Sequence, residues 1–594
     1  MKITRSKKNT EIEKDKLYLE HLRHSCSHLM AAAILEFWPQ AKRALGPAIE
    51  DGFYYDIDFG NAKITEEHFP KIEQKMRELA KDWKGFKKQI VTKSQAVKTF
   101  KENEYKVELI NEFSKKGQSL TLYKSGDFSD LCRGGHVVHP NQEIAHFKLL
   151  SIAGAYWRGN EKNKMLTRIY ATCFPTKEKL EKYLFQQDEA KKRDHRKLGK
   201  EMGLFTINDQ VGQGLTIWLP NGSTIRREIE NFMVAEQEKL GYKHVYSPHI
   251  GQKSLWEKSG HWALYREKMY SPMDVDGTEY LVKPMTCPMH IQTYQFKSRS
   301  YRELPLKIAE IASVYRYEKS GELNGLLRVR AFTQDDAHIF CTPEQAVDEF
   351  ISVFKLIQKI YMTFGFTDYK VRLGVRSKKE KYLGNDSLWK GAEKKAVEAL
   401  KKVGSDYFVS EGDAAFYGPK ADFLIKDALG REWQCGTVQV DFMLPERFGL
   451  KYIDQDGKEK TPVMVHRAPL GSIERFLAIL IENYAGNFPT WLTPVQVKIL
   501  PISEKHLGYA RTVLARLKES GIRVELDDRN ERLQAKIRDS QMEKVAYMLI
   551  VGDKEMENDL VAPRSRTGKN FGTQKLDKFV RNILDEIKNK KSEV

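Results

Sequence analysis

The segment RVRAFTQDDAHIF (residues 328–340) constrains the fold most, because its alternating side chains do not suit a simple core strand. On a strand, every second side chain faces the same side of the sheet. One face therefore collects two cations, an aromatic ring, an amide, a carboxylate and an imidazole, from Arg328, Arg330, Phe332, Gln334, Asp336 and His338. Such a face predicts a site for a charged ligand, and a solvent-exposed strand laced with ion pairs is the alternative.

The preceding segment VYRYE is predicted to be the partner strand across a glycine-containing loop, and it repeats the pattern with Arg316 and Glu318. Arginine forks suit phosphate and carboxylate oxygens. Three other segments are expected to join this site: WQCGTVQVDF (433–442), HRAPLGSIERFLAILIE (466–482) and KPMTCPMH (283–290). The chain has neither GxxxxGK[ST] nor a GxGxxG after a strand, so we expect arginines on an antiparallel sheet to hold any nucleotide.

A second group of reactive side chains lies near the start of the chain. His24 and His28 are one turn apart on a predicted helix (17–40), so their rings project from one face. Cys132 and His136 have the same spacing in DLCRGGHVVH, whose glycines indicate a loop or strand end. Three histidines and a cysteine can bind zinc, or can position water against an ester as general acids and bases. From the pattern alone, which often occurs by chance, a structural or surface role is favoured.

The length of 594 residues implies several domains, and the pattern of predicted helices and strands differs between parts of the chain. We predict an α+β multidomain protein with these parts: a charged N-terminal tail (1–16), an α+β domain (17–175), an exposed linker helix (176–203), a core of helices and long strands (204–490), and a C-terminal block with βαβ alternation (491–594). The last block suits a small α/β domain that reads nucleic acid.

The amino-acid composition indicates the cellular compartment and the class of binding partner. Lys and Arg (99) exceed Asp and Glu (81) by 18, which fits a polyanionic partner but also a generally lysine-rich composition. Six scattered cysteines favour a reducing cytosol over a disulfide framework, so we predict a cytoplasmic protein. No run of about 18 apolar residues occurs, and we expect neither a membrane-spanning helix nor a membrane partner.

Taken together, the motifs resemble the threonyl-tRNA synthetases, a family of class II aminoacyl-tRNA synthetases. The resemblance covers about residues 17–590 and rests on these segments, in the family's order: RHSCSH, DLCRGGH, KPMTCP, YRYE, GLLRVRAFTQDDAHIF, AFYGPK, WQCGTVQVDF, HRAPLGSIERF and VGDKE. It implies an editing domain, a class II antiparallel-sheet catalytic core and a C-terminal α/β anticodon-binding domain. The implied activity joins L-threonine to tRNA(Thr) through threonyl-adenylate, with hydrolysis of mischarged seryl-tRNA(Thr). A non-catalytic paralogue that binds tRNA or mRNA is the alternative.

The resemblance also implies roles for individual residues of the core. Arg316 would contact the α-phosphate of ATP and the threonine carboxylate, Arg328 the γ-phosphate, and Arg475 a face of adenine, with Mg²⁺ accompanying ATP. Glu318 would bind the adenine amino group and Phe332 would stack on the ring. Further substrate or ATP contacts are implied for Gln334, Asp336, Tyr417, Lys420 and Gln434, and one zinc ion is implied at Cys287, His338 and His466.

Three protein ligands leave zinc an open position, which the amino group and hydroxyl of threonine can fill and valine cannot. Serine lacks only a methyl group, worth about 1–3 kcal/mol, so binding alone leaves errors. By resemblance, the editing site that removes them works without a metal and consists of His24, His28, Lys106, Asp130, Cys132 and His136.

The remaining implied contacts concern tRNA and the partner subunit. His261 would lie near the terminal ribose of tRNA, and Asn530, Glu555 and Arg564 would read the anticodon. The segment ending at Pro248 resembles motif 1, which implies a homodimer. Two departures stand out: Gly135 replaces a proline that is usual in the family, and a charged tail of 16 residues stands where many members carry a ubiquitin-like domain, which we expect to be lacking.

Overall fold

The computed structural model describes residues 2–377, 382–427 and 430–591. It divides into two compact units, Met1–Gln187 and Asp188–Val594, each of which is described by itself. The last three residues of the lysine-rich chain end lie outside the described residues. Within the described part of the chain, no helix is long and apolar enough to cross a bilayer.

The first unit combines helices with two antiparallel sheets. Its helices are α1 (Lys2–Phe37), α2 (Phe69–Ala80), α3 (Lys93–Thr99), α4 (Glu104–Lys115), α5 (Pro140–Glu143) and the first part of α6 (Lys177–Arg193). Its strands are β1 (Lys42–Arg43), β2 (Ala48–Ile49), β3 (Gly52–Asp58), β4 (Lys87–Ile90), β5 (Thr121–Ser125), β6 (Phe128–Leu131), β7 (His146–Tyr156) and β8 (Met165–Phe174). One sheet has the order β1-β3-β8-β7, with β2 paired to β3, and the other has the order β4-β5-β6.

Helix α1 is longer than predicted, because it begins at Lys2 instead of residue 17. The predicted charged tail is therefore helical, and its Lys and Glu residues are good helix formers. The helix ends at Phe37, two residues before Pro39, where a proline prevents continuation. Its buried face, including Leu29, packs into the core with Phe53 of β3. This packing fixes the helix that carries His24 and His28 beside the sheet.

The second unit contains the longest sheet. Its helices are α7 (His195–Glu201), α8 (Pro220–Glu238), α9 (Lys253–Ser259), α10 (His261–Leu264), α11 (Cys287–Gln295), α12 (Ala346–Thr363), α13 (Asp386–Val403), α14 (Met443–Arg447), α15 (Ile473–Tyr484), α16 (Leu507–Glu519), α17 (Leu533–Met542), α18 (Asp553–Asn558) and α19 (Leu576–Lys588). Its strands are β9 (Phe205–Thr206), β10 (Ile217–Trp218), β11 (Lys243–His244), β12 (Ile250–Gln252), β13 (Met273–Val275), β14 (Thr278–Val282), β15 (Leu306–Tyr315), β16 (Ala331–Cys341), β17 (Tyr369–Val375), β18 (Phe408–Glu411), β19 (Lys420–Lys426), β20 (Glu432–Asp441), β21 (Tyr452–Ile453), β22 (Glu459–Lys460), β23 (Val463–Ala468), β24 (Val497–Pro501), β25 (Val524–Leu526), β26 (Tyr547–Val551), β27 (Leu560–Ser565) and β28 (Gln574–Lys575).

Eight of these strands form one mainly antiparallel sheet with the order β11-β15-β16-β23-β20-β19-β17-β18. Apolar side chains of alternate positions, such as Ile339 of β16 and Val438 of β20, enter the core with α12 and α15. The period of two then directs Gln334, Asp336 and His338 to the opposite face. The polar face predicted from the sequence is thus the face opposite α12 and α15, where α11 packs against β16.

The four charged residues expected at the strand ends lie outside the strands. Strand β15 ends at Tyr315 and β16 begins at Ala331, so Arg316, Glu318, Arg328 and Arg330 belong to the connecting loop. The amide of Arg330 donates to the carbonyl of Gly214 over 2.7 Å, which takes it away from the regular ladder. Their shared strand parity was therefore a wrong prediction, although the loop keeps them beside the same face.

The predicted linker helix (176–203) is two helices, α6 and α7. The break comes at Asp194, which has an extended ψ of 119° and caps α7 by accepting a hydrogen bond from the amide of Arg196. His195 in α7 is buried, and its Nδ1 lies 2.7 Å from Glu482 Oε1. The second half of the predicted linker is consequently part of the core of the second unit, and the prediction of one exposed helix was wrong.

The C-terminal block forms a five-stranded sheet with the order β25-β24-β26-β27-β28. Strands β25, β24 and β26 are parallel, as βαβ alternation predicts, while β27 and β28 add antiparallel edges that the sequence pattern did not indicate. Helices α16 and α19 contribute Leu517 and Phe579 to its core.

Candidate active and editing sites

The strand register brings three predicted ligands together on the polar face of the large sheet. His338 of β16 is directly opposite His466 of β23, which in turn is opposite Gln439 of β20. Cys287 opens helix α11 beside them. The ligand atoms of Cys287, His338 and His466 all lie within 4.8 Å of one another, and all three residues are buried. These residues, the Cys/His cluster below, form a possible metal site.

The Cys/His cluster fits a metal in donor chemistry as well as in spacing. The Nε2 atom of His466 is 2.8 Å from Asp441 Oδ2, and the Nδ1 atom of His338 is 2.8 Å from His290 Nδ1. Each imidazole thus uses one nitrogen in a buried hydrogen bond and has the other available. Two imidazoles and a thiol are the ligands of three-residue metal sites that keep an open position.

Polar side chains surround the cluster on the same face. The Thr286 hydroxyl donates to the carboxylate of Asp336, which is 9% exposed. Tyr417 donates to Gln439 Oε1 over 2.6 Å, and its ring stacks on His466 with centroids 4.7 Å apart. Gln334 Nε2 donates to the carbonyl of Gly471 over 3.0 Å. A small polar ligand at the cluster would therefore meet oriented donors and acceptors.

The loop that connects the end of β15 to the start of β16 is rich in cationic side chains. The guanidinium of Arg316 is 5.0 Å from the ring centroid of Phe332, and its Nε donates to the carbonyl of Pro284. Arg328 donates to Glu318 Oε2 over 3.0 Å, and Lys268 Nζ lies 2.8 Å from the same oxygen. The loop combines a flat ring, a carboxylate and fixed cations, which suits a purine with its phosphates.

Arg475, Lys420 and Gln434 also lie on this side of the sheet. Arg475 lies in the first turn of α15 and donates to the carbonyl of Gln434 over 2.8 Å, and burial lowers its pKa. Lys420 Nζ and Gln434 Nε2 bind the two oxygens of the buried Asp422, at 2.8 and 2.9 Å. Asp422 therefore fixes two predicted contact residues that lie on neighbouring strands.

The predicted editing residues come together in the first unit. His24 Nε2 is 3.1 Å from His28 Nε2 and 3.4 Å from Cys132 Sγ, and that sulfur is 3.5 Å from His136 Nε2. His24, His28 and Cys132 line a cavity of about 800 Å³, together with Lys106. The cavity is large enough for a nucleoside-sized ligand.

A buried ion pair lies behind the histidines. Lys106 Nζ is 2.8 Å from Asp130 Oδ1, and their side chains are 3% and 1% exposed. Burial by itself would raise the pKa of Asp130, but the charge of Lys106 helps to hold it well below its usual range. Tyr55 donates its hydroxyl proton to Asp130, and His28 Nδ1 lies 3.5 Å from Asp130 Oδ2. Asp130 is thus an ionised anchor for the site.

Burial sets the protonation of the reactive groups. It lowers the pKa of His24 to about 3 and that of His136 to about 2, and it raises the pKa of Cys132 to about 11. At neutral pH these two rings are uncharged and the thiol keeps its proton. Neutral imidazoles can accept a proton from water, which suits hydrolysis of an ester in the cavity.

Three family descriptions match separate parts of the chain. Residues 270–484 match the tRNA synthetase class II core domain (G, H, P, S and T), and residues 496–586 match the anticodon binding domain. Residues 120–170 match the threonyl and alanyl tRNA synthetase second additional domain. The threonine–tRNA ligase of Thermus thermophilus is 49% identical over 598 residues, which cover 98% of this chain and 90% of that protein. The chain belongs to the threonyl-tRNA synthetase family.

Other members of the family agree. The threonine–tRNA ligase of a Sulfurihydrogenibium species is 48% identical over 97% of this chain and 90% of its own length. The crystal structure of the RNA binding domain of threonyl-tRNA synthetase from Cryptosporidium parvum is 39% identical, with a TM-score of 0.64 over 66% of this chain and 98% of that one. The class II core, the editing-type domain and the anticodon-binding domain expected from the sequence are therefore confirmed.

The loop that carries His136 contains Gly134 and Gly135, and the resemblance to the family leads us to expect proline in place of Gly135 in other members. Gly134 and Gly135 have φ angles of 100° and 84°. Proline is restricted to φ near −65°, so the family's proline could not adopt the backbone found at Gly135. A Cβ atom there would also lie 3.3 Å from the ring of His21. The departure in sequence is thus matched by a left-handed backbone.

The predicted anticodon residues differ in exposure. Asn530 is exposed between β25 and α17. Glu555 is 9% exposed, and its carboxylate accepts from the amide of Gly552 over 3.0 Å at the start of α18. Arg564 is half-buried in β27, and its Nε has no hydrogen-bond partner among the described residues. Their contacts with tRNA stay predictions.

His261 and His290 lie closer to the Cys/His cluster than the sequence reasoning indicated. His261 is 2% exposed, and its Nε2 is 3.7 Å from Cys287 Sγ. Its predicted position near the terminal ribose stays a prediction. His290 was not singled out, although it follows Cys287 by three residues and therefore shares a face of α11 with it. That helical spacing was the signal available in the sequence.

Proposed function

We propose that this chain joins L-threonine to tRNA(Thr) in two steps, with ATP and Mg²⁺ forming threonyl-adenylate, and that it hydrolyses seryl-tRNA(Thr). The observation that carries the proposal is the buried Cys/His cluster on the same strand face as Gln334, Asp336 and Phe332. A face that joins metal-type ligands to a carboxylate and a flat ring suits an amino acid beside a nucleotide.

Zinc is the ion that we assign to Cys287, His338 and His466, because one thiolate and two imidazoles match its preferences. Zinc held there would supply a Lewis acid with an open position for the amino group and hydroxyl of threonine. Asp336, which already accepts from Thr286, would accept the hydrogen bond of the threonine hydroxyl. Valine cannot replace that hydrogen bond, so the site would reject it strongly.

Activation relies on positioning and charge. Arg316 and Arg328 would hold the phosphates of ATP in line with the threonine carboxylate, while Phe332 and Arg475 enclose adenine and Glu318 accepts from its amino group. Tyr417, Lys420 and Gln434 complete the walls of this pocket through their bonds to Gln439 and Asp422. Mg²⁺ would accompany ATP.

Editing would occur in the first unit. His24, which is uncharged at neutral pH, and His28 would orient water toward the ester of seryl-tRNA(Thr), with Cys132 and His136 beside them. Lys106 and Asp130 would fix this set from behind. We assign editing to residues 17–175, activation to 204–490 and anticodon binding to 491–594.

The tRNA and subunit contacts are part of the same proposal. His261 would serve the acceptor end, and Asn530, Glu555 and Arg564 would serve the anticodon. The segment ending at Pro248 would form a homodimer, and the protein would act in the cytoplasm. Phosphate contacts from the basic surface would position the tRNA, while few residues read bases.

The decisive test is amino-acid-dependent exchange of pyrophosphate into ATP across the twenty amino acids. Threonine should support the fastest exchange, serine a slower one, and valine almost none. Cys287→Ser should abolish threonine-dependent exchange and remove the bound zinc. Exchange with none of the amino acids would favour a non-catalytic paralogue, and exchange led by another amino acid would refute the substrate.

A further inference from the structure

A chain of buried hydrogen-bonding groups extends from the Cys/His cluster into the protein. The Nδ1 atoms of His338 and His290 are 2.8 Å apart, and His290 Nε2 is 3.2 Å from Glu310 Oε2. The exposed fractions of His290, His338 and Glu310 are 0%, 1% and 3%. Buried polar atoms must find partners inside the protein, so the donors and acceptors along this chain must match.

Glu310 anchors the chain as a carboxylate. Lys283 Nζ and the amide of Ser247 bind its Oε1 at 3.1 and 3.0 Å, and the Ser247 hydroxyl donates to its Oε2 over 2.7 Å. Burial by itself would raise the pKa of Glu310, but the hydrogen bonds from His290 and Ser247 and the charge of Lys283 lower it to about 2. Both oxygens therefore act only as acceptors.

These contacts determine where the imidazole protons lie. Because Glu310 can only accept, His290 carries its proton on Nε2 and donates it. The Nδ1 atoms of His290 and His338 are 2.8 Å apart, so one must donate and the other accept, and we assign the accepting lone pair to His290 because its proton is on Nε2. That lone pair accepts the Nδ1 proton of His338. The Nε2 atom of His338 is left unprotonated, which is the state that a metal ligand requires.

His466 is oriented more directly. Its Nε2 donates to Asp441 Oδ2 over 2.8 Å, and Asp441 Oδ1 accepts from the amides of Met443 and Leu444 at 2.7 and 3.0 Å. Nδ1 of His466 therefore keeps its lone pair. The two imidazoles would thus bind a metal through different nitrogens, His466 through Nδ1 and His338 through Nε2. Asp441 orients His466 directly, whereas Glu310 orients His338 through His290.

We propose that Glu310 and His290 are positioning residues that hold His338 in its metal-binding tautomer. The relay runs from Glu310 through His290 to His338, and it rests on the metal site proposed above. Metal-bound histidines regularly donate their second N–H to such a partner, and loss of the partner costs about 10–100-fold in metal affinity. Helix α11 thus supplies both a ligand, Cys287, and a relay residue.

Glu310→Gln tests the relay with little change in volume. The amide oxygen of the new side chain would keep the bonds from Lys283 and the Ser247 amide, so its NH₂ group would face His290 Nε2. That nitrogen would have to accept, which moves the His290 proton to Nδ1. His338 would then accept at Nδ1 and carry its proton on Nε2. We expect the dissociation constant for zinc to rise by about 10–100-fold.

Glu482→Gln is the matched control, because Glu482 is a buried partner of another histidine, with Oε1 2.7 Å from His195 Nδ1. Its zinc affinity should equal that of the unchanged protein. Zinc affinity is measured on the full chain by competition with a chelator, and Cys287→Ser defines loss of the site. If Cys287→Ser loses zinc while Glu310→Gln binds it within about twofold of normal, the relay is wrong. If Cys287→Ser keeps its zinc, the metal site itself is wrong.

His290→Leu gives a second test that does not depend on the stability of Glu310→Gln. It removes the acceptor for the His338 proton and should weaken zinc by about 10–100-fold. In the double variant, Glu310→Gln should add no further loss, because both changes break one relay. A folded His290→Leu protein with normal zinc affinity, or additive losses in the double variant, would overturn the proposal.

Discussion

The buried pair of Lys106 and Asp130 allows the stability of the editing site to be separated from its chemistry. Lys106→Met keeps an unbranched side chain of similar length but leaves Asp130 charged and buried. At 2.8 Å the pair gains about 6 kcal/mol of Coulomb energy at an effective dielectric constant of about 20. Removing one member of a buried pair typically costs about 3–5 kcal/mol. Asp130 still accepts from Tyr55 and from the amide of Leu131, so we expect about 3 kcal/mol.

Hydrogen exchange of the amides in β5 and β6 in the full chain measures this cost locally. A loss of about 3 kcal/mol should speed their exchange by about 100-fold, since about 1.4 kcal/mol corresponds to a factor of ten. Lys164→Met is the control: Lys164 is 57% exposed and pairs with Asp58 at 2.7 Å, so the change should cost less than about 1 kcal/mol.

The double variant Lys106→Met/Asp130→Asn decides between a structural and a functional role. It removes both charges and should recover at least about 2 kcal/mol, because no uncompensated ion remains. Hydrolysis of seryl-tRNA(Thr) should nevertheless be lost in this double variant, as in Lys106→Met. Exchange rates in Lys106→Met that stay within about twofold of normal would refute the energetic reasoning. Normal editing by the restored double variant would refute the role of Lys106 and Asp130.

Three further outcomes are expected. His24→Ala should leave threonylation intact and let seryl-tRNA(Thr) accumulate in a mischarging assay; unchanged mischarging would contradict the editing assignment. The pKa of His24 is about 3 in the folded protein and 6.5 in the unfolded chain, so the unfolded chain binds a proton first as the pH falls. The free energy of unfolding should therefore be highest above about pH 6.5. Between about pH 6.5 and pH 3 it should fall by up to about 1.4 kcal/mol per pH unit. Denaturation at several pH values should show a shallower slope for His24→Ala. Arg328→Ala should slow threonine-dependent pyrophosphate exchange by about 100-fold or more, since it removes a cation from developing phosphate charge, and a normal rate would remove Arg328 from the site.

Local patterns predicted the parts of this protein that depend on period and composition. The alternation in 328–340 identified β16 and its polar face, and the βαβ texture identified the parallel part of the C-terminal sheet. Long-range contacts determine where some strands and helices begin or break, which the local sequence pattern does not predict. The Arg330 amide bonds to Gly214, so the regular strand starts only at Ala331, and the cap at Asp194 divides one predicted helix into two.

The same distinction applies to the site. The resemblance to a family supplied Cys287, His338 and His466 together, and only the pairing of β16 with β23 explains how two of them meet. The sequence analysis missed residues that position other side chains, such as Glu310 and Tyr55. These residues lie far along the chain from the side chains that they contact, so no sequence motif links them. Their partners become visible only when the strands are in register.

The two groups of histidine and cysteine also show why similar residues can serve different chemistry. In the Cys/His cluster, one nitrogen of each imidazole is hydrogen-bonded to His290 or Asp441, and the ligand atoms of His338, His466 and Cys287 lie within 4.8 Å of one another. In the editing site, His24 and His28 instead share a hydrogen bond between their Nε2 atoms, 3.1 Å apart. A proton can be shared between these nitrogens, but the ligand atoms of His24, His28, Cys132 and His136 also lie within 4.8 Å of one another, so the spacing by itself fits an ion as well. A proton held between two imidazoles beside an open cavity suits transfer to and from water, whereas two converging lone pairs suit a metal. We therefore expect the outer hydrogen bonds of His338 and His466, together with the open cavity beside His24 and His28, to distinguish the proposed zinc site from the proposed hydrolytic site.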